Sequence, residues 1–137
     1  MLPLIQRSGL EALGTALLAF TISRLGNADL NGFEQAMGIG LCLALLIHVI
    51  GRFSGAHFNP AVTVLLTQQR FGRTAFRSTE SLTEAGSYIV AQIIGALIGF
   101  ALTPASGASS AFVLDGLIPE VVFSLALYAL ILRWSDE

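Results

Sequence analysis

The residues with the most specific chemistry in this chain lie together, in Ser54-Gly55-Ala56-His57-Phe58-Asn59-Pro60-Ala61-Val62-Thr63-Val64. They are not arranged for making or breaking bonds. No Ser–His–Asp set accompanies them, and His48 and His57 are nine positions apart. No further ligand-type residue is spaced with His57 for a metal ion. Catalytic residues, a metal site and a cofactor are therefore not expected, and His57 reads as a loop residue that hydrogen-bonds. What the stretch offers is polar backbone and one amide. Ser54 and Gly55 break the helix before them. Asn59 is a favoured N-cap, and Pro60, with preset φ and no N–H, suits the first turn of a new helix. The carbonyls of Gly55, Ala56, His57 and Phe58 would then lie outside any helical ladder. Asn59 would add a side-chain donor at the positive end of a helix dipole. A row of acceptors followed by a donor suits a neutral hydrogen-bonding molecule, whereas a cation meets an unfavourable dipole.

The elements around this stretch place it in a membrane. The new helix, Pro60-Ala61 to Gln69, is about ten residues, or roughly 15 Å long. That crosses only half of a hydrocarbon core of about 30 Å. The chain of 137 residues is 54% hydrophobic and only 12% charged, with mean hydropathy +0.75. Soluble domains carry about 25% charged residues. The class is all-α integral membrane: full-length spans with one short re-entrant helix. A net charge of −2, with seven arginines, no lysine and no dense basic cluster, gives no reason to expect a nucleic-acid partner. The single Cys42 excludes an intramolecular disulfide and a cysteine metal site. It reads as a free buried thiol.

Four full spans are expected: Leu10 to Leu25, Glu34 to Phe53, Leu82 to Leu102, and Ala111 to Leu132. The last is interrupted by Asp115, Gly116 and Pro119. A cleaved leader is the rival reading of the first. Glu11 inside the apolar run, the lack of a clean cleavage site and the spans that follow argue against it. Placing both termini in the cytoplasm puts Arg7, Arg52, Arg70, Arg73, Arg77 and Arg133 inside and only Arg24 outside, six against one. The loop Thr103 to Ser110 is then external, Trp134 is an interfacial anchor, and the short helix dips in from the cytoplasmic side. The plasma membrane is the expected location.

Small residues recur where helices would pack, with Gly38 and Gly40 in the second span and Gly95 and Gly99 in the third. Polar residues inside spans are costly in lipid unless paired. Glu11 and Glu120 each open an apolar helix in this reading. They are followed four positions later by Thr15 and Ser124, a faint internal repeat. His48 reads as interior packing or a minor pore-lining group.

The Ser54–Val64 stretch resembles the first signature loop of the aquaporin and glycerol-facilitator family, Asn-Pro-Ala preceded by Ser-Gly-x-His-x. Ser54, Gly55, His57, Asn59, Pro60, Ala61 and Thr63 carry the match. Glu11-x-x-Gly14-Thr15, Glu120 and Tyr88-Ile89-Val90-Ala91-Gln92-Ile93-Ile94-Gly95 resemble the family's first, fourth and third spans. The resemblance implies two inverted repeats. Residues 1–110 would form the first and 111–137 the start of the second, within one membrane domain. It implies a passive channel for water or small neutral solutes such as glycerol, lined by Asn59, Pro60 and Ala61 and by the carbonyls of residues 55 to 58. Pore diameter, donors and half-helix dipoles acting together are the account generally given for aquaporin-type pores. Glu11 and Glu120 would brace the loops; the plainer reading has Glu11 snorkelling. Ile39 matches a filter position that is often Phe in water channels, so strict water selectivity is in doubt.

The resemblance also implies a second Asn-Pro-Ala half helix and a filter arginine, which this sequence does not contain. The expectation is that the chain is a fragment, or works with an oligomeric partner or separate chain supplying the missing half. Alone it would conduct little. The alternative is a transport-inactive structural membrane protein with the same fold. A membrane enzyme finds no support in the residues present.

Overall fold

The computed structural model describes residues 2–72 and 75–103, and the regular elements among these are all helices. Four helices follow one another: α1 Leu4–Gly26, α2 Gly32–Ser54, α3 Pro60–Phe71 and α4 Thr79–Ala101. The predicted span from Ala111 to Leu132, with Glu120, lies outside the described residues. So does most of the Thr103 to Ser110 loop.

The first helix departs from expectation. It begins at Leu4 rather than Leu10, so Glu11 sits two turns inside it instead of opening it. Pro3 supplies the start: its carbonyl accepts from the backbone N–H groups of Gln6 and Arg7. A count of apolar residues misses that first turn and a half because Gln6, Arg7 and Ser8 interrupt the hydrophobic run. The second helix starts on a capping box, in which the Asn31 side chain accepts from the N–H of Glu34 and the Glu34 carboxylate accepts from the N–H of Asn31. It ends at Gly55, whose φ of 97° is left-handed and costs glycine little.

The packing follows the small residues. Leu25 meets Gly38 and Glu11 meets Ser54, so α1 and α2 are antiparallel. Arg7 pairs with Glu84, Glu11 with Gln92 and Ser23 with Thr103, so α1 and α4 run parallel. Their backbones touch at Gly95 and Gly99. A Cβ added at Gly95 would overlap the carbonyl of Ala12, and one at Gly99 would overlap that of Ala16 and stand 2.9 Å from the Ala19 Cβ. Helices this close owe their approach to glycine. Along α4 the buried residues are Ser81, Ala85, Tyr88, Gln92, Gly95 and Gly99, one stripe at alternating spacings of four and three. The outer faces are apolar and exposed, including Met37, Leu41 and Leu45 on α2 and Val90, Ile94 and Leu97 on α4. By length and composition α2 and α4 each suffice to cross a membrane.

The short helix α3 has 12 residues, about 18 Å at 1.5 Å per residue. Its first turn stands beside the middle of α4, where Thr63 meets Gln92. Its last turn is level with the start of α4, where Arg70 meets Glu84. The chain thus arrives with α2 and runs back along α3 toward the same end of the bundle.

Candidate functional site

The loop from Ser54 to Asn59 is gathered around one carboxylate. Glu11 is fully buried. Its Oε1 accepts from Ser54 Oγ at 2.6 Å and from the His57 N–H at 3.1 Å. Its Oε2 accepts from the Phe58 N–H at 2.7 Å and from Gln92 Nε2 at 3.0 Å. Four donors on two oxygens satisfy a group that would otherwise be prohibitively costly to bury. Snorkelling is excluded, because Glu11 reaches no surface. Two further loop donors are engaged: the Gly55 N–H with Gly51 O, and the Ala56 N–H with Ser54 Oγ at 3.1 Å.

A second layer holds the first. Tyr88 OH donates to Ser54 O at 2.6 Å, and its ring meets His57 edge-on with centroids 5.1 Å apart. The Thr63 hydroxyl lies 3.2 Å from His57 Nδ1, accepts from Gln92 Nε2 at 2.9 Å and donates to Asn59 O at 3.1 Å. Thr63, Tyr88 and Gln92 are almost fully buried. Sequence reasoning placed Thr63 in the signature stretch and Tyr88 and Gln92 in a span, but gave none of the three a bracing role. The available signal was Tyr88 and Gln92, polar groups four apart on one face of an apolar span.

The backbone of the loop is strained. Ala56 and Phe58 have φ of 51° and 49°, in the left-handed region that side chains rarely adopt. Such residues cost on the order of 1–3 kcal/mol each and persist only where their surroundings over-determine them. The surroundings here are the Glu11 bonds to the N–H groups of His57 and Phe58, and the Phe58 ring against Gly14. A Cβ at Gly14 would overlap that ring. With the donors turned toward Glu11, the carbonyls of Gly55, Ala56, His57 and Phe58 receive no hydrogen bond from the described residues.

Asn59 caps α3 as expected, its Oδ1 accepting from the Ala61 N–H at 2.7 Å, with Pro60 in the first turn. Asn59 is half-buried, Pro60 and Ala61 are exposed, and all three stand at the junction of loop and helix. Ile39 is not brought to this junction. It lies next to Gly38, at the Leu25 end of α1. His48 is exposed on α2, which corrects the interior-packing alternative and leaves the pore-lining one open. Cys42 is half-buried, with Sγ 3.4 Å from Thr21 Oγ1. Among the described residues no group of His, Cys, Asp and Glu could hold a metal ion.

At the α1 N-terminal end the same loop borders a cavity of about 260 Å³, lined by arginines and by Glu84, Gly55 and His57. Arg7 and Arg70 both pair with Glu84 Oε1, at 2.9 and 3.1 Å.

An all-helical bundle whose polar interior converges on an Asn-Pro-Ala helix start defines a class, and comparison with known proteins gives the same one. The model of the major intrinsic protein family matches residues 6–133. Nodulin-26 of Glycine max is 35% identical over 104 residues, covering 70% of this chain and 35% of the relative. Aquaglyceroporin AqpS of Rhizobium meliloti (strain 1021) is 35% identical over 107 residues, 72% of this chain and 42% of the relative. Aquaporin-8 of Notomys alexis is 38% identical over 101 residues, 72% and 36% respectively. No solved structure matches. The chain belongs to the major intrinsic protein family, and is an integral membrane protein. It spans about a third to two fifths of the length of these relatives.

Proposed function

We propose that this chain lines one side of a passive transmembrane path for water or small uncharged solutes such as glycerol. One observation carries the reading. Glu11 draws the loop donors inward and leaves four consecutive carbonyls, from Gly55 to Phe58, leading to Asn59 at the positive end of α3. A neutral solute can donate to the carbonyls in turn, accept from the Asn59 amide and move on. A cation is opposed by the helix dipole. In this reading α3 is a re-entrant half helix entering from the cytoplasmic side, and Glu11 braces the loop. Ile39, farther along α2, stands at the outer filter. Lining for the outer half comes from elements beyond residues 4–103, in this chain or another. The names of two relatives, aquaglyceroporin and aquaporin, support this class of permeant.

The test is Asn59→Asp, which keeps size and capping ability but removes the amide donor. Solute flux into vesicles from expressing membranes should fall, or cation leak rise, while membrane yield stays near that of the parent. Unchanged flux and leak would remove Asn59 from the path. Little flux is expected from this chain alone; flux indistinguishable from empty vesicles even with a chain supplying the missing half would favour the transport-inactive alternative.

A further inference from the structure

The cavity at the α1 N-terminal end carries an excess of positive charge. Arg7, Arg52 and Arg70 all line it, and Glu84 is the one carboxylate among its lining residues. Glu84 places a single oxygen, Oε1, between Arg7 and Arg70. Arg52 makes no ion pair among the described residues and lies over the Phe53 ring, 4.6 Å from its centroid. Three guanidinium groups against one carboxylate leave two positive charges in excess.

Part of this has a plain explanation. Arg52 and Arg70 sit in the last turns of α2 and α3, where a cation offsets the helix dipole. Arg7 has no such reason. It lies near the start of α1, where the dipole disfavours a cation. Its side chain is only 13% exposed, and its buried Nε–H meets no acceptor among the described residues. A mostly buried guanidinium with an unused donor, beside two others around one cavity, is an arrangement for an anion.

We propose that this cavity binds a phosphate group, held by the guanidinium groups of Arg7, Arg52 and Arg70. A phosphate with two negative charges matches the excess of two. Its tetrahedral oxygens accept paired N–H donors from planar guanidinium forks. The phosphate can come from an anionic lipid headgroup at the membrane surface or from soluble phosphate. The site does not depend on whether the chain conducts.

The experiment uses the purified chain in nanodiscs. In one arm, phosphatidylcholine discs are titrated with inorganic phosphate against chloride at equal ionic strength, read by phosphorus NMR line broadening. In the other, discs containing phosphatidic acid are delipidated and the retained lipid is counted by native mass spectrometry. Binding in the first arm alone identifies a soluble ligand; binding in the second identifies a lipid headgroup. Arg52→Gln breaks no ion pair of the described residues, and should weaken binding by about tenfold or more. Arg24→Gln, at the far end of α1, should leave it unchanged. Arg52→Lys keeps the charge without the fork and should fall between parent and glutamine variant, which also keeps the test usable if Arg52→Gln expresses poorly. No response beyond chloride in one arm together with no retained phosphatidic acid in the other would overturn the proposal. So would equal losses in Arg52→Gln and Arg24→Gln.

Discussion

Glu11 is the residue on which the loop geometry turns, and its chemistry leaves little room for substitution. Each carboxylate oxygen accepts one loop N–H together with a side-chain donor, Ser54 Oγ on one oxygen and Gln92 Nε2 on the other. Glu11→Gln keeps one oxygen and puts an NH2 group against the donors of the other. Either the His57 or the Phe58 N–H is then buried without an acceptor. We expect a loss of about 1–3 kcal/mol, read as a lower unfolding midpoint in detergent. An unchanged midpoint would mean that the loop is held elsewhere. Because Ala56 and Phe58 are held at positive φ by the same bonds, the variant should also disturb the carbonyl row. Solute flux should therefore fall by more than the yield of folded protein.

Among the elements, the parallel pair α1 and α4 forms the tightest contact. It is made by backbone against backbone, which cannot rotate away as a side chain can. Gly95→Ala would drive a methyl group into the Ala12 carbonyl and should cost about 1–3 kcal/mol through overpacking. Gly86, in the same helix, has nothing within 4 Å of an added Cβ. Gly86→Ala should be neutral or slightly stabilising, since alanine is favoured over glycine within a helix by about 0.5–1 kcal/mol. The comparison of the two thermal midpoints checks the packing: equal effects would mean that α1 and α4 are not in backbone contact. The Gln92–Glu11 bond lies just before this contact, so parting α1 from α4 would also loosen the loop.

At the scale of the molecule, the arginines sort by end. Arg7, Arg52 and Arg70 surround one cavity, and Arg24 lies 17 residues from Arg7, about 26 Å along α1. The charge rule predicts that the arginine-rich end faces the cytoplasm; the connection at Asp29 would then be external and the one at Arg77 internal. Single cysteines at these exposed positions, in a Cys42→Ser background, should label from outside and inside the cell respectively. Labelling of both from the same side would contradict the path of α1 and α2; the reverse pattern would invert the protein in the membrane.

The sequence by itself determined the membrane class, the helix boundaries to within a few residues at most ends, and the Asn59–Pro60 start of α3. These depend on local matters: hydrophobic run length, capping chemistry and the preset φ of proline. It also pointed to Glu11, because a carboxylate inside an apolar run must find partners. It did not show that Glu11 meets Ser54, His57, Phe58 and Gln92 at once, since those residues are 43 to 81 positions away. Nor did it show that Tyr88 and Thr63 form the second layer, or that three arginines meet around one cavity. The first turn of α1 was hidden by its polar residues, and His48 turned out on the exposed face of α2 because an apolar run all round a helix does not say which side is inside. Those outcomes depend on how α1, α2, α3 and α4 are rotated and offset against one another. Gly95, Gly99 and Gly14 permit that arrangement by close approach, and only the folded chain shows which side chains the approach brings into reach.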